Sequence, residues 1–319
     1  MVNMGELTTF SFSGHESFSF RYPWLKKGFD AVRADGAVFQ NEDAITILGV
    51  GKNMVRSIRH WCLAAGLIEE DRQEGEKRSS MLRPTEFGTW VFDEHGLDPY
   101  LEDPATLWLL HWQIASNTRR ATTWYWTFSH FNEPEFTVDQ LSSAVYKWSQ
   151  TLPGKELAPG SIRRDVECFM HTYVPSRASR SLVEETLDCP LVEMGLIQAN
   201  SDAKSYYFRR GPQEALPDGI LLYATLQFWQ AFAPSSETLS ISDIARQPGS
   251  PGRLFKIDES SLIGRFERAE RLTEGAIIFN ETAGLKQLYR RKTTIGLNAH
   301  DLLELAYGLV SVDRGGIPR

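Results

Sequence analysis

Residues 42–68 read EDAITILGVGKNMVRSIRHWCLAAGLI, and this stretch decides the fold class. Glu42 to Leu48 predicts a short helix, Gly49-Val50-Gly51 a turn, and Lys52 to Ala65 a second helix that Gly66 stops by supplying a left-handed cap. Leu67-Ile68 then predicts a short strand, Glu69 to Ser80 a polar connection, Met81-Leu82-Arg83 a returning strand, and Pro84-Thr85-Glu86 the opening of another helix. Helix, turn, helix and hairpin together describe a winged helix.

In the second helix Val55, Ile58, Cys62 and Ala65 share one side at 3.6 residues per turn, so that side faces a core. Asn53, Arg56, Ser57 and His60 fall on the opposite face, flanked by Lys52 and Arg59, as a helix entering a DNA major groove requires. Arginine can fork onto guanine and asparagine onto adenine. On the hairpin, Lys77 and Arg78 stand where a wing touches phosphate, a contact that positions without reading sequence. Glu69, Glu70, Asp71, Glu74 and Glu76 weigh against that role. A polar helix face also suits a solvated surface or a protein-docking module.

Outward from this stretch, the chain has 319 residues, 42% hydrophobic and 12% aromatic. That apolar content excludes wholesale disorder. The formal charge of -7 prevents the whole surface from attracting a polyanion, so a nucleic-acid contact must be local. Cys62, Cys168 and Cys189 are scattered and odd in number, which fits neither a disulfide framework nor a zinc ribbon and favours a reducing cytoplasm. The residues from Met1 to Phe12 lack a signal-peptide pattern, and Ile220 to Ala233 is too short to span a bilayer, so no membrane partner is expected.

The fold class expected is mainly α with small β hairpins, α+β in sum. A winged-helix domain over 1–100, a mainly helical middle domain over 101–235 and a winged-helix-like domain over 236–319 make up the organisation. In the middle domain, Asp103 caps and Pro104 opens a helix whose stripe is Leu107, Trp108, Leu110 and Ile114. Trp124, Tyr125, Trp126, Phe128 and Phe131 could stack bases, yet without interleaved basic residues they predict packing. Ser161 predicts the cap of a helix buried through Ile162, Val166, Phe169 and Tyr173, with Arg163, Arg164, Glu167 and His171 outside. Met194-Gly195-Leu196-Ile197 echoes Ala65-Gly66-Leu67-Ile68, and Tyr206 to Arg210 predicts a returning strand, a hint of a second winged unit. Farther on, Ser240 to Arg246 and Ser260 to Leu272 predict helices separated by the loop Gln247 to Gly252, with a strand over Ala276 to Phe279. Arg290, Arg291 and Lys292 form a basic cluster.

Catalytic motifs are scarce. Gly49-Val50-Gly51-Lys52 lacks the first glycine and the Ser/Thr of a phosphate-binding loop, where Thr46 and Asn53 stand instead. Gly14-His15-Glu16-Ser17-Phe18 could supply an acid–base pair, although hydrogen bonding within the domain, over packed Phe18, Phe20, Tyr22 and Trp24, is the simpler expectation. Cys168 and His171 form half a metal site at most, and Asp202-Ala203-Lys204 lacks the upstream acid of a nuclease. No cofactor, metal or catalytic residue is expected.

Gly14-His15-Glu16-Ser17-Phe18, Trp24-Leu25-Lys26-Lys27-Gly28 and Leu48 to Val55, followed by Trp61 and Gly66-Leu67-Ile68, resemble an ordered set found in a prokaryotic family of unknown function over nearly the whole chain. That resemblance implies genes beside sulfur-transfer genes of DNA phosphorothioate modification, in islands that defend bacteria against phage. It implies no catalytic residues. The leading expectation is a non-enzymatic DNA-binding accessory or regulatory protein, contacting plain or modified duplex DNA through Lys52, Asn53, Arg56, Ser57, Arg59, His60, Lys77 and Arg78. The alternatives are an adaptor that docks a modification or restriction enzyme, and a nuclease or sulfur-handling enzyme using His15, Glu16 or Cys168. Other proteins of the defence system are expected partners, and a homodimer is allowed for.

Overall fold

The structure, a computed structural model, describes residues 10–71, 81–154, 156–175, 189–201, 204–291 and 298–309. It is mixed α+β, with helices dominating and short antiparallel strands between them. Contacts divide the chain into two units, 4–209 and 210–319 with the first three residues, so the expected middle segment belongs with the N-terminal helices as far as residue 209.

The first unit begins with α1 (Tyr22–Ala34), α2 (Ala44–Leu48) and α3 (Lys52–Ala64). Gly49 takes φ +64° and closes α2, which is why the turn needs glycine there. The strands β1 (Ile68–Glu70) and β2 (Leu82–Pro84) pair antiparallel with Ile68 opposite Pro84. Thr85 accepts from the Gly88 N–H and starts α4 (Glu86–Phe92). Gly28 on α1 lets two helices meet closely, because a Cβ there would lie 2.5 Å from Cys62 Sγ on α3.

In α5 (Pro104–Ser116), Asp103 accepts from Ala105 N–H as the cap. The helices α6 (Thr122–His130), α7 (Val138–Ser149) and α8 (Pro159–Tyr173) follow. α8 starts two residues before the expected cap: Pro159 is preorganised for the first turn, and Ser161 lies inside the helix. Trp124, Trp126, Phe128 and Phe131 are buried, so the aromatic segment is core. Gly195, at φ +58°, precedes β3 (Ile197–Ala199), which pairs with β4 (Tyr206–Phe208). This repeats the glycine-then-strand pattern of Gly66.

The second unit contains α9 (Asp218–Phe232), β5 (Thr238–Ser240), α10 (Ile241–Arg246), α11 (Pro251–Leu254), α12 (Glu259–Phe266), α13 (Ala269–Leu272), β6 (Ile277–Thr282), β7 (Leu285–Arg290) and α14 (Ala299–Ala306). The single helix expected over 260–272 is two, α12 and α13, and the loop after α10 contains the short α11, capped by Ser250. β7 is the central strand of an order β5-β7-β6, and α14 packs on α9. Among the described residues, no helix is long and apolar enough to cross a membrane.

Candidate nucleic-acid interface

α3 enters from Gly51, whose backbone is extended and whose lack of a side chain leaves the first-turn N–H groups uncapped. No acidic residue stands in that turn, while Lys52, Asn53 and Arg56 are exposed. A helix start that combines open N–H groups, positive dipole and two cations favours an anion. Arg56 also lies 3.8 Å from Glu16, so part of its charge is answered within the protein.

Other expected contact residues stand elsewhere. Ser57 is fully buried, with its hydroxyl turned toward the Phe18 carbonyl at 3.5 Å, and His60 is only 7% exposed. Neither can face a groove, and the reason is that residues 13–20 cover this side of α3. Arg59 is half-buried; desolvation, then the nearby Arg120, lowers its pKa. Lys77 and Arg78, with Glu74 and Glu76, lie outside the described residues. The acidic strand residues that argued against DNA are paired: Glu69 and Asp71 face Arg83 at 2.8 and 3.8 Å, and Glu70 holds Arg120 at 2.7 Å.

The cover over α3 is built from the Gly-His-Glu-Ser motif. Ser13, Glu16 and Ser17 all take positive φ, 67°, 51° and 65°, which folds the segment into a tight turn. Gly14 is required because a Cβ would sit 2.5 Å from His60 Nδ1. The Ser17 N–H donates to His15 Nδ1 at 3.0 Å, which leaves Nε2–H to donate to Asp165 Oδ1 at 2.6 Å. Asp165 also accepts from the Ser13 N–H and the Thr123 hydroxyl. His15 lies parallel to Trp61, and Trp61 Nε1 donates to the Phe18 carbonyl at 2.8 Å. His60 is pushed down to about 3, first by desolvation and then by His15, so it is a neutral core group.

His15 is 1% exposed and Asp165 equally buried, so the motif is a structural lock with no route for substrate to its ring. Cys168 is buried too, and burial first, then Asp165, raises its thiol pKa well above the ordinary range, which removes it as a thiolate nucleophile. Asp165, Ser13 and Thr123 were not legible as site members, because their partners are 42 to 152 residues away. The one clue was a single acidic residue, Asp165, one position before the apolar Val166 on α8.

Among the described residues, one group brings three metal-ligating atoms within 4.8 Å: His300, Asp301 and Glu304. Asp301 is already half of a capping box with Asn298. One imidazole and a committed carboxylate suit magnesium poorly, since that ion prefers oxygen ligands in near-ideal octahedral geometry.

The family model for the protein of unknown function DUF4007 matches residues 12–307. A crystal structure of SspB is 31% identical with a TM-score of 0.84, covering 93% of this chain and 88% of that one. A magnesium ion-bound crystal structure of SspB is 30% identical, also at 0.84, covering 97% and 91%. No curated protein matches the chain.

Proposed function

From the premise that this chain belongs to the DUF4007 family, we propose that it is a DNA-binding accessory protein of a bacterial DNA-modification and phage-defence system. In this reading α2, α3 and the β1–β2 hairpin work as a winged helix. The observation that carries it is the start of α3: uncapped N–H groups, no acidic residue in the first turn, and Lys52, Asn53 and Arg56 all exposed. Lys52 and the helix N-terminus serve phosphate, while Asn53 and Arg56 reach base edges. Ser57 and His60 hold the helix from behind. The setting follows from the family resemblance and from the likeness to SspB.

The test is a double charge reversal, Lys52→Glu with Arg56→Glu, in the full chain. Duplex affinity is expected to fall and the salt slope to drop by about two, one per lost phosphate contact. Unchanged affinity and slope in a folded variant would overturn the assignment.

A second reading has one specific support: a similar SspB structure is magnesium ion-bound. Under it the chain is a magnesium-dependent nuclease. The donor set at His300, Asp301 and Glu304 argues against that group as its centre, and duplex cleavage that needs magnesium is the outcome that would favour this reading over the first.

A further inference from the structure

The second unit buries a lysine among arginines. Lys256 is 3% exposed, in the segment between α11 and α12, and takes φ +55°, a conformation that non-glycine residues rarely adopt. Its backbone is pinned from across the unit: the Gly211 N–H donates to the Lys256 carbonyl at 3.1 Å, the Gln213 amide approaches it at 3.5 Å, and Gly211 bridges Ile257 in parallel. That bridge brings the exposed Arg210 alongside. Arg253 precedes Lys256 by one turn and is fixed by donating from Nε to the Arg246 carbonyl at 3.0 Å. Arg246 itself pairs with Glu259 at 2.8 Å.

These cations act on one another. Desolvation, then Arg210 and Arg253, holds the Lys256 ammonium well below its ordinary range, and desolvation, then Arg210 and Arg246, lowers Arg253. A buried methylene chain ending in carbon would fill the same space without this repulsion. Retaining an amine there costs stability, and an oxyanion seated among the groups removes the cost. Arginine guanidiniums offer paired N–H donors matched to a phosphate, and lysine adds a compact charge.

We propose that Arg210, Arg253 and Lys256 form a phosphate-binding site on the second unit. The ligand chemistry is a phosphate group, carried either by a nucleic-acid backbone or by a small free phosphate compound. Arg246 supports the site by orienting Arg253 through its carbonyl. This inference is independent of the reading of α3, which uses other residues in the other unit.

The experiment titrates the full chain with inorganic pyrophosphate by calorimetry, and with a labelled duplex of about two helical turns by anisotropy. Wild type is compared with Arg210→Gln and with the pair Arg210→Gln, Arg253→Gln. Arg210 is exposed, so the single variant retains the fold and keeps the test open should the pair unfold, which circular dichroism checks. Wild type is expected to bind at least one probe and to melt at a higher temperature with it. Each variant is expected to bind at least about tenfold more weakly, the loss expected when charge-assisted hydrogen bonds are removed. Loss confined to pyrophosphate assigns a small free ligand, and loss confined to duplex assigns a nucleic-acid backbone; both support the site. Equal affinities of wild type and folded variants for both probes, or no binding of either, overturn it. Failure of the α3 reading shows separately, as unchanged duplex binding on reversing Lys52 and Arg56.

Discussion

Asp165 is the residue on which the first unit's interior charge rests, because three donors from distant segments converge on it: Ser13 N–H, His15 Nε2–H and the Thr123 hydroxyl. Asp165→Ala strands all three in the core and is expected to cost about 3–5 kcal/mol. Asp165→Asn keeps an acceptor at the Oδ1 position, and the Thr123 hydroxyl can turn to accept, so about 1–3 kcal/mol is expected. Denaturant unfolding measures both, and an Asn variant no better than Ala would show that charge, rather than geometry, is what the site needs. His60 gives a prediction in pH. Its pKa falls from 6.5 in the unfolded chain to about 3 in the fold, so between these values the unfolded state binds the extra proton. Stability from this group is therefore full above pH 6.5 and is lost on acidification, with a slope approaching about 1.4 kcal/mol per pH unit. His60→Leu removes the titration. Melting temperatures from pH 7 to 5, above the main carboxylate range, should fall more steeply for wild type than for the variant, and parallel curves would contradict the assigned shift.

The turn between α2 and α3 is decided by two glycines with different duties. Gly49 holds φ +64°, whereas Gly51 is extended at φ -68° and has open space where a Cβ would go. Gly49→Ala is expected to destabilise by about 1 kcal/mol and Gly51→Ala by less, read from chemical denaturation. Equal costs would mean that the turn is not held as described. At this scale much was legible in the sequence. Asp103-Pro104 marked the start of α5, Gly66 and Gly195 marked the approach to strands, and Ser240 marked α10, because caps and left-handed turns are written in local residue types. The faces of α3 were legible only in part. Val55, Ile58 and Cys62 are buried as the period predicts, but Ser57 and His60 are buried as well. Periodicity reports that a polar side exists; it does not report that residues 13–20 return to cover it with Phe18, His15 and Trp61. The long helix expected over 260–272 failed for a related reason: α12 and α13 are separate elements, a break that no glycine or proline marks.

For the whole molecule, a charge of -7 sets a limit on how any duplex is held. A chain repelled on average by a polyanion binds only where cations concentrate, and with Glu16 beside Arg56 the α3 face offers few of them. We therefore expect duplex binding to be weak at physiological salt, with a shallow slope of about two to three released counterions, well below the about ten of strongly basic recognition. The titration that checks this uses duplexes with and without phosphorothioate linkages, at two salt concentrations, with magnesium present or absent. A shallow slope without cleavage supports an accessory role, because affinity so modest leaves room for a partner protein to contribute the rest. The exposed Ile45 and Ile47 on α2, 45% and 57% accessible, give such a partner apolar surface next to the proposed interface. No binding under any condition would favour the adaptor, for which Ile45→Ser with Ile47→Ser should abolish co-purification with a neighbouring gene product. A steep slope would contradict the local-contact argument itself, since it needs more cations on phosphate than Lys52, Arg56 and Arg59 provide, and the arginines around Lys256 would then be the first place to look for them.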